Sequence, residues 1–124
     1  MNLLLDTHIL LWWLADDRAL PELASQAIAD PANSVIVSAA SAWEIGIKKA
    51  AGRLVAPDDL AEVLEENSFD ALSITIAHTV EAGSLPTHHA DPFDRMLIAQ
   101  ARLEGLTIVT IDGRFPNYEV SLLP

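Results

Sequence analysis

Hydrophobic residues fall in short uninterrupted runs of strand length, separated by stretches in which they recur at helical spacing. Asn2 to Leu5 is a brief apolar run stopped by Asp6, consistent with a buried strand. Ile9 to Leu14 follows as a helical segment carrying Trp12 and Trp13, and Asp16-Asp17-Arg18 breaks it. Pro21-Glu22 opens a second helix with Leu23, Ala27 and Ile28 facing in, and Asp30-Pro31 closes it. Val35-Ile36-Val37 is β-branched and reads as a strand. Ser38 to Ala51 is alanine-rich and helical, with Gly52 as its stop. A helix over Asp58 to Glu66 is introduced by Pro57, Ala71 to Ile74 is a short strand, and Ile76 to Ala82 is a helix ended by Gly83. After the loop Ser84 to Ala90, a helix runs from Pro92 to about Glu104 and stops at Gly105. Leu106 to Ile111 is the clearest buried strand, stopped by Asp112-Gly113, and Tyr118 to Leu122 reads as a short edge strand. Strands that alternate with helices, and that are apolar throughout, belong to a parallel sheet covered on both faces. The expectation is an α/β fold of three layers, α/β/α, with a mainly parallel central sheet of four to five strands.

One stretch breaks the apolar pattern in an informative way. Asp91-Pro92-Phe93-Asp94-Arg95 begins the helix that is apolar nearly all round, so that helix should be buried. Asp91 suits an N-cap, and Pro92 at the first helical position gives up no needed hydrogen bond. Asp94 is the anomaly. It shares a face with Ile98 and Ala101, so its carboxylate points toward packed surface. An ionised carboxylate there costs several kcal/mol or so unless a partner or a metal compensates.

Composition narrows the setting. The 124 residues suit one domain, residues 1–124, with no repeat, low-complexity tract or linker inside it. Half the chain is hydrophobic and the mean hydropathy is +0.28, which fits a packed core rather than disorder. There is no cysteine, so disulfides, thiolate zinc sites and cysteine nucleophiles are excluded. The opening apolar residues are interrupted by Asp6 and His8 and end at Asp16-Asp17, too short to span a bilayer. A cytoplasmic protein without a membrane partner is expected. Seven basic residues face eighteen acidic ones, a net charge of −11. Taken alone, that balance argues against binding nucleic acid by counterion release. It fits either a solvated acidic surface or an acidic pocket for a divalent cation.

The positions of the acids separate these. Reacting groups in parallel α/β folds sit beyond the carboxyl ends of the strands. Asp6 ends the first strand and Asp112 the Leu106 strand, while Glu44 and Asp94 lie early in helices that start at that same edge. Each has an ordinary structural use. Asp6 suits a cap, Ser41-Ala42-Trp43-Glu44 matches a capping box, Asp94 suits the helix dipole, and Asp112-Gly113 is a turn dipeptide. Glu44 also lies one turn before Lys48. Against the box, the helix is already under way at Ser38. Four structural uses meeting at one sheet edge need four coincidences, so a site is the better reading. Clustered carboxylates repel one another without a cation, and oxygen donors alone select Mg²⁺ or Mn²⁺. Such ions suit phosphodiester hydrolysis.

Other residues are weaker candidates. Lys48, Lys49, Arg53, Arg95 and Arg114 lie close to the acids in sequence and are candidate phosphate contacts. Trp12, Trp13 and Trp43 read as core or subunit contact, and His8, His78, His88 and His89 as surface or loop residues rather than ligands. Thr7 and Thr110 flank the acids and are placed to orient water.

Leu4-Leu5-Asp6-Thr7-His8, Ser41-Ala42-Trp43-Glu44-Ile45 with Lys48 and Gly52-Arg53-Leu54, Asp91-Pro92-Phe93-Asp94-Arg95 and Val109-Thr110-Ile111-Asp112 together resemble a PIN domain. More narrowly they are similar to the toxin subunits of VapBC-type toxin–antitoxin modules, over essentially the whole chain. The resemblance implies a PIN-like fold and a Mg²⁺-dependent endoribonuclease, with RNA as substrate. It also implies a homodimer and a cognate antitoxin that covers the active site. Asp6, Glu44, Asp94 and Asp112 match the family's acidic metal-binding and catalytic positions, and Asp91 does not. Two other functions compete. A phosphatase or phosphotransferase using Asp6 as nucleophile would want an acid two residues on, where His8 stands. A non-cleaving PIN-like binding module would not need all four acids.

Overall fold

Asn2–Leu5 forms β1, the central strand of a five-stranded sheet, in a computed structural model that describes residues 1–123. Along the chain follow α1 (Thr7–Leu14), α2 (Glu22–Ala29), β2 (Ser34–Ser38), α3 (Ala39–Ala50), α4 (Leu60–Glu66), β3 (Asp70–Leu72) and α5 (Ile76–Ser84). Then come α6 (Pro92–Glu104), β4 (Thr107–Val109), a 3-10 turn (Phe115–Asn117) and β5 (Ser121–Leu123). The strand order is β3-β2-β1-β4-β5, and each neighbouring pair is parallel. The fold is therefore α/β, with the expected parallel sheet and five strands among the described residues.

Alternation along β1 divides the core between the two faces. Leu3 and Leu5 join Val35, Val37 and Val109 on one face, beneath Ile9 and Leu10 of α1, Ala24 and Ile28 of α2, Ile45 of α3 and Leu64 of α4. Leu4 and Ile108 point the other way, onto Leu97, Ile98 and Ala101 of α6. The α5 helix packs along α6 on that side. Leu3, Leu4 and Leu5 are completely buried, each worth about 2 kcal/mol of apolar transfer. That is why a strand so short can hold the middle of the sheet.

Both ends of α6 behave as the sequence dictates. Asp91 Oδ1 accepts from the backbone N–H groups of Phe93 (2.9 Å) and Asp94 (3.2 Å), and Pro92 sits in the first turn. Gly105 ends the helix with φ 68°, a left-handed conformation that side chains resist.

Several expectations shift. On α2 the buried stripe is Ala24 and Ile28, one turn apart, and Leu23 is 62% exposed. Its position, one residue off that stripe, turns it to solvent. The strand expected over Leu106 to Ile111 closes at Val109, and Ile111 is 54% exposed because the chain leaves the sheet at Thr110. Pairing with β2 sets β3 at Asp70–Leu72 instead of Ala71 to Ile74. The last strand is Ser121–Leu123, with Tyr118 buried in the turn before it. Asp59 caps α4 by accepting from the Glu62 N–H at 3.1 Å, so that helix starts at Leu60 instead of Asp58.

Candidate active site

All the strands are parallel, so their carboxyl ends share one edge. β1 connects to β2 on one side, while β4 lies on its other side, and the crevice between β1 and β4 is the topological switch point. Asp6 is the first residue beyond β1, and its N–H donates to Val109 O at 3.0 Å, extending the ladder into the crevice. Thr110, just beyond β4, donates from Oγ1 to Asp6 Oδ2 at 2.7 Å and accepts the Asp112 N–H at 3.1 Å. One threonine thus ties the two strand-end acids together.

Glu44 arrives from β2. Ser38, the last residue of β2, caps α3 by accepting the Ala40 N–H at 3.0 Å, which puts Glu44 in the second turn and removes the capping-box reading. The side chain is buried against the first helix. Thr7 Oγ1 donates to Glu44 Oε1 at 2.7 Å and lies 3.1 Å from Ser41 Oγ, and Lys48 Nζ donates to Glu44 Oε2 at 2.6 Å. Asp94, the third residue of α6, is 7% exposed and lies 2.6 Å through Oδ2 from His89 Nε2. Asp112 accepts both guanidinium arms of Arg114, at 3.1 and 2.8 Å, together with its backbone N–H at 2.9 Å.

An open pocket of about 330 Å³ gathers these groups. Asp6, Glu44, Asp94 and Asp112 all line it, with Asp91 beside them. Lys48, Arg114, His8, Trp12 and Ile111 complete the wall. Asp91 therefore caps its helix and also presents charge to the pocket. His89, Asp94 and Asp112 form the tightest group, with one donor atom from each within 4.8 Å of the others. Asp6 and Glu44 share the pocket outside that group.

The charge balance is strained. Burial pushes the Asp94 carboxyl up to about 7, with the charge of Asp91 adding to it and the His89 hydrogen bond opposing. Asp6 is also raised, chiefly by burial, against the lowering effect of Thr110. Asp112 goes the other way, to about 2, because Arg114 holds its charged form. Asp6 and Asp94 are thus two buried acids that resist ionisation in the protein alone. Every acid donor is a carboxylate oxygen, and a hard divalent ion suits that set.

The basic residues are mostly engaged. Lys48 and Arg114 pair with the site acids, and Lys49 pairs with Asp58 at 2.6 Å. Arg95 is not among the residues that line this pocket. Its guanidinium donates to the carbonyls of Pro86 and His89 through Nη1, and of Ala82 and Leu85 through Nη2, at 2.9 to 3.2 Å. It ties the loop before α6 to the helix, which replaces the expected phosphate contact with a structural role. Arg95→Ala should leave several of these carbonyls without a partner. It is expected to cost about 2 kcal/mol, or roughly 8 °C in thermal midpoint, measured by calorimetry.

Two histidines depart from expectation. His78 and His89 are buried, while His8 and His88 are exposed. His78 accepts the Thr75 N–H on Nδ1 at 3.0 Å and meets Glu104 through Nε2 at 2.8 Å, closing the cap of α5. His89 enters the candidate site, and the only signal in the sequence is its place five residues before Asp94. Trp12 and Trp13 are half-buried, and Trp43 is 65% exposed, edge-on to Phe93 at 5.3 Å.

A family model for the PIN domain matches residues 3–120. The chain belongs to the PIN domain family. This PIN domain is 30% identical over 120 residues to Ribonuclease VapC22 of Mycobacterium tuberculosis (strain ATCC 25618 / H37Rv), covering 94% of this chain and 92% of the relative. Its fold is that of a chain in the crystal structure of VapBC2 from Rickettsia felis bound to a DNA fragment from their promoter. There the TM-score is 0.71 at 18% identity, over 99% of this chain and 98% of the other. A chain of a toxin-antitoxin complex from Klebsiella pneumoniae gives 0.67 at 19% identity, over 98% and 95%. Among the described residues, no helix of this PIN domain is long and apolar enough to cross a membrane.

Proposed function

We propose that the chain, as one PIN domain, is a Mg²⁺-dependent endoribonuclease that acts as the toxin of a VapBC-type toxin–antitoxin pair. The observation that carries this is the pocket at the sheet's switch point, where Asp6, Glu44, Asp94 and Asp112 converge. The likeness to Ribonuclease VapC22 over nearly the whole chain supports RNA as the substrate, and the likeness to a chain of a toxin-antitoxin complex supports an antitoxin as a partner.

The carboxylates of Asp6, Glu44, Asp94 and Asp112 would hold Mg²⁺, or Mn²⁺ in its place, which would supply Lewis-acid activation of water and of the phosphodiester. The chain's own groups set the stage. Thr110 holds Asp6 by one oxygen, and Thr7 and Lys48 hold Glu44. Asp112, kept ionised by Arg114, is an acceptor that orients water in the pocket. Exposed apolar pairs one turn apart, Trp43 with Ile47 on α3 and Ile76 with Val80 on α5, offer surface to an antitoxin and to a second copy in a homodimer.

The test is RNA cleavage by protein stripped with a chelator and then titrated with Mg²⁺, for wild type and Asp6→Asn. Stripped protein should be inactive, and Mg²⁺ should restore cleavage in the wild type alone. Equal cleavage by both proteins would overturn the assignment.

A further inference from the structure

Asp94 owes its orientation to a residue outside the acidic set. We infer that His89 is a positioning residue that holds Asp94 by one oxygen and leaves the other for an ion. This rests on reading the pocket as an ion site.

The ring's tautomer follows from its neighbours. His89 Nδ1 faces a donor, the Asp91 N–H at 3.4 Å, so Nδ1 presents its lone pair and the ring N–H sits on Nε2. That Nε2–H meets Asp94 Oδ2 at 2.6 Å. Ligation of an ion by Nε2 would need the proton on Nδ1, pointing at the Asp91 N–H. His89 is therefore built as a donor to the carboxylate. Among the described residues Asp94 Oδ1 takes no hydrogen bond, and it is the oxygen left for coordination.

The ring cannot easily drift. Its side chain is 1% exposed and sits edge-on to Phe115 at 6.2 Å. The His89 carbonyl accepts from Arg95 at 3.2 Å and from the Tyr118 hydroxyl at 3.4 Å. Arg95 follows Asp94 directly on α6, so the helix that carries the carboxylate also anchors the loop that carries its partner. Thr110 treats Asp6 the same way, with one donor on one carboxylate oxygen. Hydrogen-bond partners of this kind orient metal-ligating groups and tune their affinity.

The experiment measures Mg²⁺ affinity by titration calorimetry on the full chain, with Mg²⁺ as the only ligand, alongside the imidazole ¹⁵N spectrum. His89→Leu should weaken Mg²⁺ binding by roughly tenfold or more. His89→Gln places an amide N–H where Nε2–H stood and should stay within about threefold of wild type. The wild-type spectrum should show the Nε2–H tautomer before and after Mg²⁺. If wild type binds and His89→Leu binds as tightly, the role of His89 is overturned while the ion site stands. An Nδ1–H tautomer, or a His89→Gln variant that loses affinity tenfold, overturns it too. That second variant decides the matter if His89→Leu does not fold. A wild-type protein that binds no Mg²⁺ overturns the ion site itself and this inference with it.

Discussion

Asp94→Asn is expected to lower RNA cleavage by roughly a thousandfold, the scale of losing one preorganised charge in an active site. In the same preparation it should raise the thermal midpoint of the metal-free protein at pH 8. The amide keeps the shape of the carboxylate, and its carbonyl still accepts from His89 Nε2, so the helix start survives. What it loses is charge. Burial and the neighbouring Asp91 hold the Asp94 carboxyl at about 7, so above that pH the folded protein carries a charge its surroundings oppose. Removing that charge should relieve a penalty of order 1 kcal/mol after solvent screening, worth roughly 4 °C or more in a domain of this size. Single-turnover cleavage and scanning calorimetry read the two effects separately. A variant that loses both activity and stability would show that Asp94 serves the fold instead.

The second large effect is a reversal of pH dependence by Mg²⁺. Asp94 is raised from 3.8 to about 7 and Asp6 is raised as well, so the folded chain holds protons that the unfolded chain releases above about pH 4. Stability of the metal-free protein therefore falls as pH climbs from about 4 to 7 and levels off above. Asp112, held at about 2, stabilises in the opposite sense, but that contribution is lost only below about pH 4. The metal-free midpoint should be higher at pH 5 than at pH 8. At the proposed ion site Mg²⁺ would meet ionised carboxylates without competing protons at pH 8, where a hundredfold excess over Kd would add about 2.7 kcal/mol. The midpoint at pH 8 should then rise by roughly 10 °C, with little change at pH 5. Calorimetry at both pH values, with and without Mg²⁺, checks this. A Mg²⁺ effect equal at the two pH values would rule it out.

Strand-end acids are legible because backbone direction alone carries them. Once β1 and β4 are parallel neighbours, Asp6 and Asp112 leave the sheet at the same edge whatever their side chains do. Asp94 was visible through its conflict with a buried helix face. Glu44 needs one further step, that Ser38 caps α3, which removes the capping-box alternative. His89 carries little signal beyond its nearness to Asp94, since its burial depends on Phe115, Tyr118 and Arg95 meeting across the fold. Arg95 is hard to read for the complementary reason. A guanidinium beside an acidic motif looks like a phosphate contact until the carbonyls of the preceding loop are found waiting for it. Leu23 and Ile111 show the same limit on a small scale, because hydrophobicity does not say where a helix stripe falls or where a strand lets go of the sheet.

The central place of β1 bears on how the protein folds. Residues 2–5 find their sheet partners far along the chain, at residues 34–36 and 107–109. The hydrogen bond from Thr110 to Asp6 closes a separation of 104 residues. A nascent chain therefore carries Asp6, Glu44 and Asp94 long before it can bring them together. The pocket is complete only once β4 and the residues just beyond it have joined β1. For a proposed RNA-cutting enzyme, the acids are thus held apart until a long-range strand pairing is made.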